Sequence, residues 1–251
     1  MSLEEEIVYY ITISTKPNNV LNVLVKNIEN KGETIEILGQ KNTPYKIGQD
    51  VEGGRRLKLK LDEVYNFINR PYLNPNDIIL FTDAYDVYYS GNKKTVLERF
   101  KKMNKPVIFG AEMCCYPDDN KKFFYPQIQS RFPYLNSGLF IGRVEALREC
   151  MKDYDSELIE DNCNDQLWWT NKFLERQDLI ELDYYNNLFL NCVWLNANEL
   201  HINENEDTVV FNNATPQFIH GNGPSKNLLL PLLEYFSNKY MNNININEWW
   251  N

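Results

Sequence analysis

Residues 78–87 read IILFTDAYDV. Ile78, Ile79, Leu80 and Phe81 form an apolar, β-branched and aromatic run of the kind that lies inside a sheet. Asp83 and Asp86 then follow three residues apart. Burial of unpaired carboxylates is costly, so a strand that ends this way must hand its acids to a surface, a crevice or a ligand.

The segments on either side of this stretch alternate between strand and helix. Residues 7–14 (IVYYITIS) and 34–38 (TIEIL) read as strands. Residues 20–27 read as a short helix between them. A glycine-bearing polar loop (Gly48, Gly53, Gly54) precedes Leu57, Leu61, Val64, Tyr65 and Ile68, which recur at helical spacing until Pro71 and Pro75. Val96, Phe100 and Met103 mark one face of the next helix. Residues 106–111 (PVIFGA) read as a strand, and residues 112–133 form a loop with three prolines, long enough to expect a function. Residues 134–142 (YLNSGLFIG) form a strand broken by small polar residues. Leu147, Cys150, Met151 and Tyr154 share a helical face, and residues 165–174 form another helix. Residues 208–211 and 217–219 are short strands. A last helix covers 228–240, with Pro231 in its first turn. The alternation predicts an α/β fold with a mostly parallel central sheet flanked by helices, in one domain spanning 1–251. Ligands of such sheets bind outside the carboxyl ends of the strands, where Asp83 and Asp86 fall.

Composition narrows the chemistry. The chain is 43% hydrophobic and 14% aromatic, which is globular rather than disordered. Its net charge of -9 argues against nucleic acid or an anionic membrane as partner, so an anionic ligand would need local cations or a metal. The cysteines (Cys114, Cys115, Cys150, Cys163, Cys192) are odd in number and contain no CxxC pair, which speaks against a zinc site and a disulfide framework. The start, MSLEEEIVYYITIST, lacks a basic region followed by an apolar one, so no signal peptide is expected in it, and no run is long and apolar enough for a membrane span.

Two readings of the acid pair stand from the residues alone. Asp83 and Asp86 could share an oxygen-preferring divalent cation, Mg²⁺ or Mn²⁺, which removes their repulsion and keeps positions open for phosphate oxygens. Alternatively, Asp83 caps a turn and Asp86 caps the following helix. An aspartyl-nucleophile phosphatase would want its second acid two residues after the first, where Tyr85 stands. Further along, residues 219–226 read IHGNGPSK. His220 could serve a metal as neutral imidazole, Gly221 and Gly223 admit close approach of backbone amides to an anion, and Lys226 suits a phosphate; an ordinary glycine turn is the plainer account. In EGGRRLKLK (52–60), Arg56 or Lys58 could meet a phosphate or simply form a solvated basic face. Asn136-Ser137-Gly138 suits close approach of a ligand, and Asn164-Asp165-Gln166 opens a helix, where an N-cap is the plain reading. Together these pieces describe a nucleoside diphosphate held by a metal, glycine amides and cations.

FTDAYDV, YLNSGLFIG, NDQLWWT and HGNGPSK occur in the order found in the glycosyltransferase domain of procollagen lysyl hydroxylases, and EGGRRLKLK and AEMCCYP resemble two further stretches of it. The resemblance covers about residues 5–240. It implies a GT-A-like fold, a UDP-sugar donor and Mn²⁺ (or Mg²⁺), with Asp83, Asp86 and His220 as metal ligands. It implies that Tyr85 stacks on uracil, that Thr12 to Thr15 lie near the base, and that Gly221, Asn222, Gly223 and Lys226 hold the pyrophosphate, with Arg56 in place of a phosphate-side lysine. Asn164 and Asp165 fall where the family carries an acidic run facing sugar and acceptor, with Asn164 departing from it; Tyr116 replaces a tryptophan. The implied reaction is glucosyl transfer from UDP-glucose to galactosylhydroxylysine of a collagen-like peptide, with retention. Alternatives are a UDP-galactose-dependent hydroxylysine galactosyltransferase, a UDP-sugar hydrolase and a degenerate UDP-sugar-binding module. Family relatives lie in the endoplasmic reticulum lumen, and a homodimer is compatible with this reading.

Overall fold

The computed structural model describes residues 6–39, 50–51, 54–55 and 57–241. The elements in chain order are β1 (Val8–Ile13), α1 (Asn19–Asn30), β2 (Ile35–Leu38), a short hairpin of β3 (Asp50–Val51) and β4 (Gly54–Arg55), and α2 (Lys58–Ile68). Next come β5 (Ile78–Asp83), β6 (Val87–Tyr89), α3 (Lys93–Met103), β7 (Val107–Glu112), β8 (Tyr134–Arg143), α4 (Val144–Cys150) and α5 (Asp165–Glu175). The chain continues through β9 (Ile180–Asp183), β10 (Phe189–Asn191), β11 (Leu200–Asn203), β12 (Thr208–Phe211), β13 (Phe218–His220) and α6 (Leu230–Tyr240).

Among the described residues the main sheet has the order β2-β1-β5-β8-β7-β9. β1 runs parallel to β2 and β5, and β7 parallel to β9, whereas β8 runs antiparallel to both its neighbours. This is the mostly parallel α/β architecture expected. β5 lies between β1 and β8, and its alternate residues enter two different buried clusters, Ile79 and Phe81 in one and Ile78 and Leu80 in the other, so it is covered on both faces and its sequence is a continuous apolar run. The core on one face is tied by an aromatic ladder. Phe140 stacks on Phe81 with centroids 4.9 Å apart and meets Phe109 at 4.9 Å; Phe109 in turn meets Trp169 of α5 at 4.9 Å. The ladder clamps α5 to the sheet and so sets the height of its N-terminus.

The apolar stretch 78–87 proves to be two strands in two sheets. β5 ends at Asp83, the chain turns, and β6 enters a second, three-stranded sheet of order β10-β13-β6. β10 and this second sheet were not expected, because three-residue strands carry too little periodicity to read. β9 and β11 also escape the pattern. The helix at 144 ends at Cys150, while Met151 and Tyr154 remain buried on the turn after it. At the end of β9, Asp183 is fully buried and accepts amide hydrogens from Asn187, Leu188 and Phe189 at 2.9, 2.6 and 2.8 Å, which builds the turn into β10.

Phe140→Ala is expected to destabilise the fold by about 3–5 kcal/mol, as for other large aromatic-to-alanine changes in packed cores. Urea unfolding followed by tryptophan fluorescence measures this.

Candidate active site

The carboxyl ends of β5 and β7 open on a cleft of about 570 Å³. Its lining includes Lys60, Asp83, Asp86, Glu112, Asp165 and His220. Asp83 is the last residue of β5, and Asp86 stands just before β6. His220 arrives as the last residue of β13, which pairs antiparallel with β6 so that His220 lies opposite Val87. The Gly221 amide donates to the Asp86 carbonyl at 2.8 Å and fixes the two segments at this point. One ligand atom from each of Asp83, Asp86 and His220 falls within 4.8 Å of the others. Nε2 of His220 lies 3.3 Å from Oδ1 of Asp86 and 3.7 Å from Oδ2 of Asp83.

The second sheet also sets the imidazole. Asn191 of β10 lies beside His220 in register, and its Oδ1 meets Nδ1 at 2.8 Å. Nδ2 of Asn191 donates to the Ala111 carbonyl at 2.9 Å, so Oδ1 is the atom left to accept from Nδ1–H. That leaves Nε2 directed at the carboxylates, the tautomer a metal ligand needs. Burial would lower the pKa of His220, but the charges of Asp86 and Asp83 raise it overall. Burial would likewise push Asp86 up; His220, Lys226 and Lys60 hold it below the usual carboxylate range. Two carboxylates and one pre-oriented imidazole form a donor set suited to a divalent cation such as Mn²⁺.

The capping account fails for Asp86. Asp86 leads into a strand, and α3 is capped by Asn92, whose side chain accepts from the Thr95 amide at 2.9 Å. Gly138 lies beside the cluster on β8: a Cβ there would meet Cε1 of His220 at 2.3 Å and Oδ2 of Asp83 at 2.8 Å. The small residue in YLNSG is therefore the space that the imidazole occupies.

Other expected residues divide. The Tyr85 hydroxyl accepts from the Thr15 and Lys16 amides at 2.9 and 3.2 Å, tying the end of β1 to the acid turn. Thr12 is fully buried and donates to the Thr82 carbonyl at 2.8 Å, so its hydroxyl joins β1 to β5 rather than facing the cleft. Asn164 lines the cleft and also caps α5, its Oδ1 accepting from the Leu167 amide at 3.0 Å. Asp165 receives the Ser137 hydroxyl on Oδ2 at 2.8 Å. Lys226 stands 3.5 Å from Oδ2 of Asp86 with its side chain 42% exposed. Gly223 takes a φ of +59° with no heavy atom near its would-be Cβ, and Gly221 packs so tightly that a Cβ would meet Leu229 at 2.9 Å. Asn222 is buried. Its Oδ1 accepts from the Val193 amide at 3.0 Å. Arg56 lies outside the described residues. Lys58 turns away from the cleft to Ser156 and Asp62, at 3.0 and 3.5 Å.

Two groups were missed. Lys60 sits between Asp83 and Asp165, at 2.7 and 3.1 Å. Burial alone would lower its pKa, and the two carboxylates more than reverse this, so it stays charged. The second is Glu112, at the end of β7. Its Oε1 accepts from Nε2 of Gln166 and its Oε2 from Nδ2 of Asn222, each at 2.6 Å. It thereby joins the start of α5 to the loop after His220. Burial pushes its carboxyl up to about 7. An acid in a strand-loop segment without a motif gives no such signal in sequence. Lys60 reads as one of several lysines on a basic helix start.

A sheet with acid-tipped strand ends, a two-acid-one-imidazole cluster and a flanking glycine loop is an arrangement that fits a glycosyltransferase domain. The chain belongs to the PLOD GT domain family, whose model matches residues 4–246. It is 30% identical over 243 residues to the multifunctional procollagen lysine hydroxylase and glycosyltransferase of Caenorhabditis elegans, covering 92% of this chain and 32% of that protein. It is 32% identical over 230 residues to the procollagen-lysine,2-oxoglutarate 5-dioxygenase of Drosophila melanogaster, covering 86% and 30%. The chain thus spans about a third of the length of these relatives. A solved glycosyltransferase involved in glycosylation of the major capsid of PBCV-1 is similar with a TM-score of 0.48 at 12% identity, covering 92% of this chain and 98% of that one. Among the described residues no helix is long and apolar enough to cross a membrane.

Gly138→Ala is expected to weaken divalent-cation binding at the cluster at least about tenfold by displacing the imidazole; isothermal titration with Mn²⁺ and Mg²⁺ measures it. Glu112 should also give stability a pH slope. Its folded value, about 7, lies above the ordinary 4.5, so its contribution is full below pH 4.5 and is lost as pH rises through 7. Chemical unfolding from pH 4.5 to 8 should show this fall, and Glu112→Gln should remove that part of it.

Proposed function

We propose that the protein transfers a hexose from UDP-glucose to galactosylhydroxylysine of a collagen-type peptide, with Mn²⁺ and with retention at the anomeric carbon. The convergence of Asp83, Asp86 and His220 in a member of the PLOD GT domain family carries this reading. Oδ2 of Asp83, Oδ1 of Asp86 and Nε2 of His220 are the atoms that would hold the cation. When bound there, it supplies Lewis-acid stabilisation of the negative charge that grows on the leaving diphosphate.

The chain's own groups do the rest. Lys226 adds positive charge beside Asp86, at the edge of the cleft where a phosphate would lie. The open backbone at Gly223 admits close approach of a phosphate oxygen. Tyr85, held by the end of β1, offers a ring for the uracil. Asp165 faces the hexose from the opposite side, oriented by Ser137 and Lys60. The bond between the anomeric carbon and phosphate oxygen breaks, the acceptor hydroxyl oxygen bonds to that carbon, and its proton leaves with the UDP phosphate. Trp194 and Tyr116 line the same cleft with 62% and 57% exposure, and supply aromatic surface for the acceptor.

Asp83→Ala and Asp86→Ala are each expected to abolish Mn²⁺-dependent UDP binding in calorimetric titration while the circular dichroism spectrum is kept. Unchanged affinity would overturn the assignment. Mass spectrometry of hydroxylysine and galactosylhydroxylysine peptides incubated with UDP-glucose or UDP-galactose then reads donor and acceptor together. A gain of one hexose from UDP-glucose on the galactosylated peptide is the expected result. A gain from UDP-galactose on plain hydroxylysine, or UDP release without peptide modification, would replace it with the galactosyltransferase or the hydrolase reading.

A further inference from the structure

α2 brings one side chain into the cleft at the point where two carboxylates of different task meet. Leu61, Val64, Phe67 and Ile68 bury the helix in the core, which fixes Lys60 on its cleft side. The Lys60 ammonium lies 2.7 Å from Oδ1 of Asp83 and 3.1 Å from Oδ2 of Asp165, with its side chain only 12% exposed. On Asp83 it takes Oδ1, whereas Oδ2 is the oxygen that faces His220 at 3.7 Å. One carboxylate thus serves two neighbours with two oxygens, and the lysine does not take the atom used by the cation site. On Asp165, Lys60 and the Ser137 hydroxyl share Oδ2, and no described residue donates to Oδ1. Without Lys60, Asp165 would lose its ion pair and the link to Asp83, and the Ser137 hydroxyl would be left to hold it.

We propose that Lys60 is a positioning residue for group transfer. It locks Asp165 at a fixed offset from the cation-holding Asp83, so that Oδ1 of Asp165 meets the donor hexose when the diphosphate is bound. The inference rests on the functional reading above and adds to it the link between the phosphate side and the sugar side of the cleft. A displacement of one ångström at a reacting centre costs on the order of a hundredfold in rate, which sets the size of effect to look for. A link of this kind acts on turnover and leaves nucleotide affinity nearly intact.

The test uses the whole chain with Mn²⁺, a galactosylhydroxylysine peptide and the donor selected by the mass screen. Lys60→Met is expected to lower kcat by roughly 30-fold or more, with KM for the UDP-sugar and Kd for UDP within about threefold of the unmodified protein. Asp165→Asn combined with Lys60→Met should be no slower than Asp165→Asn alone, because Lys60 acts through that carboxylate. Lys60→Gln, which keeps a neutral donor, should recover part of the loss; if Lys60→Met does not fold, Lys60→Leu replaces it under the same kcat and double-variant criteria. A kcat within threefold of the unmodified protein, or losses that multiply in the double variant, would overturn the inference. Failure of the unmodified protein to bind UDP with Mn²⁺ would instead overturn the functional reading, so the two outcomes are distinct.

Discussion

The antiparallel pairing of β6 with β13 is the interaction on which the site depends. Three residues on each strand are enough to set His220 opposite Val87 and to bond the Gly221 amide to the Asp86 carbonyl at 2.8 Å. The acids and the imidazole lie far apart along the chain, and closing that separation costs conformational entropy that local contacts do not return. The second sheet returns it through buried packing: Tyr89 stacks on Phe218 with centroids 4.5 Å apart, and Phe189 meets Phe218 at 6.0 Å. The site is thus anchored by a small, largely hydrophobic sheet that packs away from the cleft and delivers only its last residue, His220, into it.

Charge is the second constraint. Asp83, Asp86, Glu112 and Asp165 converge on one cleft in a chain whose net charge is already -9. Each is compensated in a different way. Asp86 has His220 and Lys226, Asp83 and Asp165 share Lys60, and Glu112 has two amide donors and a raised pKa. The balance is local, because over such short distances in a partly dry cleft the nearest partner outweighs the field of the whole surface. It also separates tasks. In the proposed reading, the carboxylates flanked by the imidazole form the cation end, and the carboxylate held by lysine and serine forms the sugar end.

Much of this was legible in the residues. The continuous apolar run before Asp83 announced a strand buried on both faces, and its acidic end announced a crevice. The helical spacing of Leu61, Val64 and Ile68 gave α2, and the small residues Asn136, Ser137 and Gly138 gave a place of close approach, which the His220 ring turns out to fill. Less legible were contacts with no periodic or local signature. Thr12 and Thr15 lie on the same short segment, yet one hydroxyl is sealed between strands while the amide of the other meets Tyr85. Lys58 and Lys60 differ by two positions on one helix, which turns them to opposite sides. Only the packing of α2 decides which of them enters the cleft.

The amino-acid order by itself determined the layered α/β class, the acid-tipped strand and the glycine loop after His220, because strand and helix periods and turn chemistry are local properties. The tertiary structure alone decided that Asn191 sets the histidine tautomer, that Glu112 joins two loops, and that Lys60 bridges Asp83 to Asp165. Those pairings depend on strand register and helix rotation, which are settled by burial of residues elsewhere in the core and leave no mark in the spacing of the residues they bring together.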